Sequence, residues 1–330
     1  MANGRKRRGE SHRQDERVKA VSFVAVFVIL ATALFFYLND NFFHIGCVPS
    51  TLEIMQAVGL AKTPYTASEG EATVHFIDVG QGDCELITVG ESTVLIDCGE
   101  SDYYDNVKSY LTKLGITKLD YVIATHPHSD HMGGMGYVLT DFKVGHFMMP
   151  RTSDDMIPST RVYERMIGAL EEKKISASYA KAGDVIELDN GGRLEILAPL
   201  HDDYDNLNNY SVTIRFVFGS NSFLLTGDIE RAAENDILNS GEDISCDVLK
   251  VAHHGSTSSS TMAFLREADP EYAVINVGKD NSYGHPKQEV LDRLDEIGCK
   301  YYTTMQYGNI VFASNGQELT LYSSKGDIAA

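Results

Sequence analysis

The 330-residue sequence predicts an α/β (α+β) domain: two packed β-sheets carrying helices on their outer faces, preceded by one N-terminal transmembrane helix. Three observations carry this expectation. Apolar, β-branched runs of strand length recur from residue 72 onward. They come first in succession, then alternate with helical segments, then in succession again, as expected of layered sheets covered by helices. Ahead of them lies a long run without charge.

The chain opens on a basic tail. Residues 1–19 hold seven basic residues against three acidic ones, whereas the remainder carries 21 basic and 44 acidic residues. Ala20–Leu38 follows, nineteen residues without a charge, and at ~1.5 Å per helical residue it spans about one bilayer core. It ends in the bulky Leu34-Phe35-Phe36-Tyr37-Leu38; a cleaved signal peptide needs a shorter apolar region and small residues at its end. An uncleaved single-pass anchor is therefore expected. The basic flank puts the N-terminus in the cytoplasm and the rest of the chain on the extracellular side. Residues 39–71 read as a linker, with a short helix over Thr51–Lys62, and residues 72–330 as the folded domain.

Within that domain strands are expected at Ala72–Val79, Asp83–Val89, Thr93–Asp97, Tyr121–Thr125, Gly145–Met149, Arg193–Ala198, Ser211–Phe218 and Ser222–Thr226. Later ones are expected at Val248–Ala252, Ala273–Val277, Tyr301–Thr304, Asn309–Ala313 and Glu318–Tyr322. Helices are expected at Asp105–Leu114, Met132–Leu139, Ser159–Glu172, Glu230–Asn239, Met262–Glu267 and Lys287–Ile297. Five cysteines are present, and outside the cytoplasm disulfides are permitted. A three-residue hairpin loop Gly90-Glu91-Ser92 would set Cys84 opposite Cys98 and allow a cross-strand disulfide; a loop one residue longer or shorter breaks that alignment.

The chemistry concentrates after the run Asp120–Ala124, where His126, His128, Asp130 and His131 fall within six positions. Imidazole and carboxylate suit borderline divalent ions such as zinc or manganese. Two alternating histidines followed by an Asp-His pair suggest ligands for two adjacent ions and an enzyme that activates a water between them.

This run resembles the His-X-His-X-Asp-His signature of the metallo-β-lactamase superfamily, hydrolases with a four-layer αββα sandwich. Further segments match in order: DVGQGD from Asp78, LIDCG from Leu95, LLTGD ending at Asp228, KVAHHGS containing His253 and His254, and YGHP containing His285. Together they are similar to the hydrolase domain of ComEC-type competence DNA-uptake proteins, over about residues 72–323. The resemblance implies two divalent metal ions, zinc or manganese, held by His126, His128, Asp130, His131, Asp228 and His285, with Asp228 bridging. It implies Asp78 as a carboxylate supporting the histidines from behind. It implies His254 or His253 facing the substrate, where a histidine holds a phosphate oxygen or protonates a leaving group, with Asp130 among the catalytic residues.

One departure stands out. Many members supply a third histidine to the first ion between the cluster and Asp228. The corresponding interval, residues 206–212, offers Asn209 but no histidine, and His201 is poorly placed to substitute. An amide oxygen is a weak metal or substrate contact and favours manganese over zinc.

The function implied is a membrane-anchored phosphodiesterase or nuclease that uses a metal-bridging hydroxide. Its substrate would be nucleic acid or a small phosphodiester, with DNA-uptake machinery as a further partner. The net charge of −19 argues against tight non-specific DNA binding, which relies on Lys and Arg, and so gives weight to a short substrate. Hydrolysis of another ester, thioester or lactam, or a non-catalytic tethered binding module, are the alternatives, because fold does not decide chemistry.

Overall fold

The structure, a computed structural model, describes residues 64–325 together with 30–32, 34–36 and 38. The basic tail, most of the apolar run and the linker up to residue 63 lie outside the described residues, as does the helix expected over Thr51–Lys62. The described positions between 30 and 38 are helical. Among the described residues no helix is long and apolar enough to cross a membrane.

Among the described residues fifteen strands form two sheets. The first has eight strands. β1 (Ala72–Phe76), β2 (Glu85–Val89) and β3 (Ser92–Ile96) run antiparallel, flanked at β1 by β14 (Ile310–Ser314) and β15 (Leu319–Ser323). β4 (Lys118–Ile123), β5 (Lys143–Met149) and β6 (Ser176–Tyr179) then continue from β3 in parallel. The second sheet repeats the scheme. β7 (Val185–Glu187), β8 (Arg193–Ala198), β9 (Thr213–Phe218) and β10 (Asn221–Leu225) are antiparallel. β11 (Val248–Lys250), β12 (Tyr272–Ile275) and β13 (Lys300–Thr303) continue in parallel. This likeness of the two sheets is invisible in the residues, because it lies in pairing directions.

Side-chain alternation explains the layers. In β1, Ala72, Val74 and Phe76 face the second sheet, where Ile214, Phe216, Phe223 and Val248 meet them. Leu86, Leu95 and Val122 point the other way, onto helices Tyr104–Lys113, Met135–Asp141 and Arg161–Lys173. The outer face of the second sheet, with Leu224, Leu249 and Ala273, is covered by helices Arg231–Ser240, Met262–Ala268 and Gln288–Glu296. Burying each large aliphatic side chain contributes about 1.5–3 kcal/mol, and three such layers hold the αββα sandwich together.

Several expectations need correction. β6 and β7 are not anticipated, because their short sequences, Ser-Ala-Ser-Tyr and Val-Ile-Glu, are largely exposed and lack an apolar run. The helix expected over Met132–Leu139 is two, Ser129–Met132 and Met135–Asp141. Gly133 and Gly134 separate them, and a Cβ at Gly133 would stand 2.4 Å from Ser101 N. The β2–β3 loop is two residues, since Val89 pairs with Ser92 and Glu85 with Ile96. Cys84 and Cys98 are therefore out of register, and both are buried free thiols. Part of the expected linker packs on the domain: Tyr65 stacks on Tyr322 at 4.0 Å between ring centroids, and its hydroxyl donates to Glu71.

His75, on the helix-facing side of β1, is 1 % exposed. Its ring nitrogens meet the Thr73 and Tyr110 hydroxyls at 2.8 Å. Burial drives its pKa down to about 3. The folded state thus refuses a proton that the unfolded chain accepts, so stability is complete above the unfolded value near 6.5 and is lost as pH falls toward 3. Two pH units below the unfolded value this one group costs about 2.7 kcal/mol. Acid unfolding monitored by circular dichroism should show His75→Gln losing less stability than the wild-type chain between pH 6.5 and 4.5, whatever its offset at neutral pH.

Candidate metal centre

The parallel strands carry the site. β3, β4, β10, β11 and β12 end at one edge of the sandwich, and the residues that follow them converge there. Placement at the carboxyl ends of parallel strands is where open α/β sheets put their ligands.

Asp97, directly after β3, organises the histidine turn. Its carboxylate accepts from the Thr125 backbone N–H at 2.8 Å, the Thr125 hydroxyl at 2.6 Å and His131 Nδ1 at 2.7 Å. A ring nitrogen against a carboxylate carries the proton, which leaves His131 Nε2 free to face Asp228 Oδ2 at 3.2 Å. His254 is oriented by the same logic: Nδ1 donates to the Asn276 carbonyl at 2.8 Å, and Nε2 lies 3.4 Å from Asp228 Oδ2 and 3.3 Å from Asp130 Oδ2. One ligand atom from each of Asp130, His131, Asp228 and His254 falls within 4.8 Å of all the others.

A second group adjoins it. His126 Nε2 stands 4.0 Å from the same Asp228 oxygen and 3.0 Å from His128 Nδ1. His253 Nε2 lies 3.9 Å from it, with its Nδ1 beside the Ser258 hydroxyl and the Glu230 carboxylate at 3.2 and 3.3 Å. His253 and His254 both adopt left-handed φ, 51° and 53°. This costs about 1–2 kcal/mol per residue and turns consecutive imidazoles onto one carboxylate. His126, His131, Asp228 and His254 are buried, while His128, Asp130, His253 and His285 are partly open to solvent.

The loop Gly80-Gln81-Gly82 closes the edge. Gly82 has φ 140°, and a Cβ there would meet the Asp130 carbonyl oxygen at 2.2 Å, so glycine is required where this turn lies on the histidine turn. It delivers Asp83, buried beneath His131 and His254 at 3.7 and 3.3 Å and ion-paired with Lys250. Lys250, 1 % exposed, also donates to the Gly227 carbonyl at 2.9 Å and lies 3.6 Å from Asp228 Oδ1. Glu85, beside Asp83, accepts from Asn276 Nδ2 at 2.6 Å and so ties one sheet to the other.

The electrostatics fit divalent cations. Burial works against charge on His131 and His254, yet the carboxylates around them outweigh it: His131 is held well above the usual histidine range and His254 is raised to about 10. Burial likewise opposes ionisation of Asp228, but the neighbouring histidines and Lys250 hold it well below the carboxylate range. His126 is driven well below its ordinary value by burial and by His131. The buried His131 Nε2, His254 Nε2 and Asp228 Oδ1 lack hydrogen-bond partners. Unpartnered nitrogen and carboxylate donors around a surplus of negative charge are a donor set that suits zinc or manganese.

Several residues sit otherwise than the resemblance implies. His285 is not drawn into the ligand group; its ring stacks on Tyr283 at the rim, 5.9 Å from the ring of His253. His254 is the histidine that completes the donor group around Asp228. Asp78 lies aside, paired with Lys325 at 2.8 Å and accepting from Gly80 N–H; the carboxylates behind the rings are Asp97 and Asp83. Asn209 Oδ1 accepts from the backbone N–H groups of Glu230 and Ala233 at 3.0 and 3.3 Å and caps helix Arg231–Ser240. His201 is exposed, near Asp236. Sequence reasoning missed Asp97, Asp83 and the burial of Lys250. A charged residue ending or following an apolar strand, as in Leu95-Ile96-Asp97, is the signal that marks them.

This sandwich carries a candidate metal centre of acidic and imidazole donors at the ends of its parallel strands. Residues 77–279 match the family model described as the metallo-beta-lactamase superfamily, and the chain belongs to that superfamily. It is 32 % identical over 267 residues to ComE operon protein 3 of Bacillus subtilis, covering 76 % of this chain and 34 % of that protein. It is 28 % identical over 251 residues to Competence protein ComA of Neisseria gonorrhoeae, covering 76 % and 33 %. The chain thus spans about a third of the length of the curated relatives it matches. Among solved structures, a CmlA beta-hydroxylase mutant shares the fold with a TM-score of 0.50 and 13 % identity, over 83 % of this chain and 61 % of that one.

Asp97→Asn keeps the shape at His131 but removes its anionic partner. Titration calorimetry with zinc or manganese should show affinity at one site weakened by about 10–100-fold, the usual cost of losing such a supporting contact.

Proposed function

We propose that this chain is a membrane-anchored phosphodiesterase or nuclease acting outside the cytoplasm. The observation that carries the catalytic part is the single oxygen Asp228 Oδ2, with Nε2 atoms of His126, His131, His253 and His254 all within 4.0 Å. One carboxylate oxygen collecting four imidazoles suits a bridge between two cations. Asp130, His131, Asp228 and His254 would hold one ion; His126, His128 and Asp228 would hold the other, with His253 as the nitrogen donor absent from residues 206–212. With Asn209 committed to a helix cap, the amide argument for manganese lapses, and both sites suit zinc or manganese. Two bound divalent ions supply Lewis acidity and an activated water nucleophile.

The chain's own residues set the rest. Asp97, Asn276 and the Glu230–Ser258 pair fix the ring orientations of His131, His254 and His253, so little reorganisation is needed when substrate arrives. Substrate enters on the side of His128, Asp130, His253 and His285, the partly open members. His285, held down to about 4 by burial and its histidine neighbours, is neutral at neutral pH, so it accepts or donates a hydrogen bond without repelling a metal-bound charge. A role in competence is supported by the relative named Competence protein ComA, and the membrane placement by the uncharged run Ala20–Leu38 after its basic flank.

An assay of the full chain against bis-p-nitrophenyl phosphate, single- and double-stranded DNA and a chromogenic β-lactam, with zinc or manganese added after chelation, tests the reading. Phosphodiester turnover should appear only with metal. Asp228→Asn should reduce kcat by more than the 10–100-fold that follows loss of an outer partner. Turnover of the lactam alone, or phosphodiester turnover untouched by the substitution, would overturn it. Metal analysis should find two ions per wild-type chain and fewer in His253→Ala, whose loss removes the donor assigned to the first ion.

A further inference from the structure

The loop after β12 holds an aromatic ring in the open beside the metal centre. Tyr283 is 62 % exposed. One face of its ring lies on His285, with centroids 5.6 Å apart and planes inclined by 23°, and His285 in turn stands 5.9 Å from His253, whose Nε2 reaches toward Asp228. A row of rings, stacked at Tyr283–His285 and edge-on at His285–His253, thus runs from solvent to the cluster.

The loop is built to keep the ring there. Asn281 Nδ2 donates to the carbonyls of Gly278 and His285 at 2.8 Å each, and its Oδ1 accepts from the His285 N–H at 2.9 Å. Lys287 Nζ donates to the Tyr283 carbonyl. Gly284, at φ 65°, supplies the left-handed turn between the two rings. At its base, Gly278 N–H donates to Gln81 Oε1, and a Cβ at Gly278 would meet Gln81 N at 2.7 Å, so the loop is seated on the turn that closes the metal centre. An exposed tyrosine on a loop fixed at both ends has no core to fill. Its free face is a flat, preorganised apolar surface. Lys287 lies against Tyr283 and leaves the loop, with Lys279 and Asp280, one net positive charge in a chain of net charge −19, which suits a phosphate backbone.

We infer that Tyr283, backed by His285, is a stacking platform for a nucleobase adjoining the scissile phosphate, and that it selects single-stranded nucleic acid. The inference rests on the phosphodiesterase reading and names its substrate class. A base in a duplex is stacked on both faces and unavailable, whereas an unpaired base offers a face that any aromatic ring accepts without reading its sequence. Tyr283 lies two ring-to-ring steps, 5.6 and 5.9 Å, from His253, so a base held on it keeps its strand beside the metal centre.

The test compares a short single-stranded oligonucleotide with the same oligomer carrying abasic sugars. In the wild-type chain kcat/KM should favour the base-bearing oligomer by about tenfold, the value of one stacked base. Tyr283→Ala should bring the ratio near one by raising KM rather than lowering kcat, and Tyr283→Trp should restore it. Fluorescence anisotropy on chelated, metal-free protein should show the same preference for base-bearing DNA and the same loss in Tyr283→Ala, with thermal melting confirming that this exposed substitution leaves the fold intact. Tyr283→Ala retaining the wild-type ratio in both measurements overturns the platform, as does equal wild-type preference for the abasic oligomer. Failure of the phosphodiesterase reading is separate: no oligomer is then cleaved by any variant, while anisotropy still reports on the platform.

Discussion

Asp228 follows a fully buried strand and is itself 2 % exposed, yet His131, His254 and Lys250 around it favour its ionised form. Leaving a carboxylate in such a place without partners would cost several kcal/mol. Everything at this edge of the sandwich answers that constraint. Asp97 turns His131 toward it, Asn276 turns His254 toward it, and the left-handed pair His253-His254 brings two consecutive rings to one oxygen. The negative charge gathered with it, Asp83, Asp97 and Asp130, is matched by Lys250 and by protons on His131 and His254 that divalent ions would displace.

Lys250 connects that centre to the fold. It lies on the inter-sheet face of β11, on the same face as Val248, where a lysine is out of place unless paired. Its ammonium bridges Asp83 from the first sheet and Asp228 and the Gly227 carbonyl from the second. The Glu85–Asn276 hydrogen bond crosses the same gap. The sheets are thus joined at one end by charge and elsewhere by Val, Ile and Phe. Several buried atoms at this polar end lack a hydrogen-bond partner, and among them His131 Nε2, His254 Nε2 and Asp228 Oδ1 belong to the cluster of candidate metal donors.

The rim differs in kind from this floor. Asn281 and Gly284 hold Tyr283 and His285 by local hydrogen bonds rather than by burial, so the loop can present a surface without contributing to the core. Buried ligands fix geometry, and exposed, pinned aromatics offer substrate a place to rest.

Much of the fold was legible in the sequence alone. Apolar runs with period two place thirteen of the strands, because a half-buried strand must alternate, and the spacing of His126, His128, Asp130 and His131 marks a metal centre, because four donors in six positions have no packing use. Asp228 and the histidine pair are likewise visible as polar residues ending apolar strands. What the sequence does not contain is distance across the chain. Whether His254 or His285 reaches Asp228 depends on how far β11 and β12 advance toward the shared edge. Whether Asn209 faces a metal or caps a helix depends on where helix Arg231–Ser240 begins relative to it. The alignment of Cys84 and Cys98 turns on a one-residue difference in a hairpin loop, and the burial of Lys250 on which sheet lies opposite it. Those choices belong to the packing of two sheets, where a shift of one position moves a side chain to the other face, and only the tertiary structure makes them.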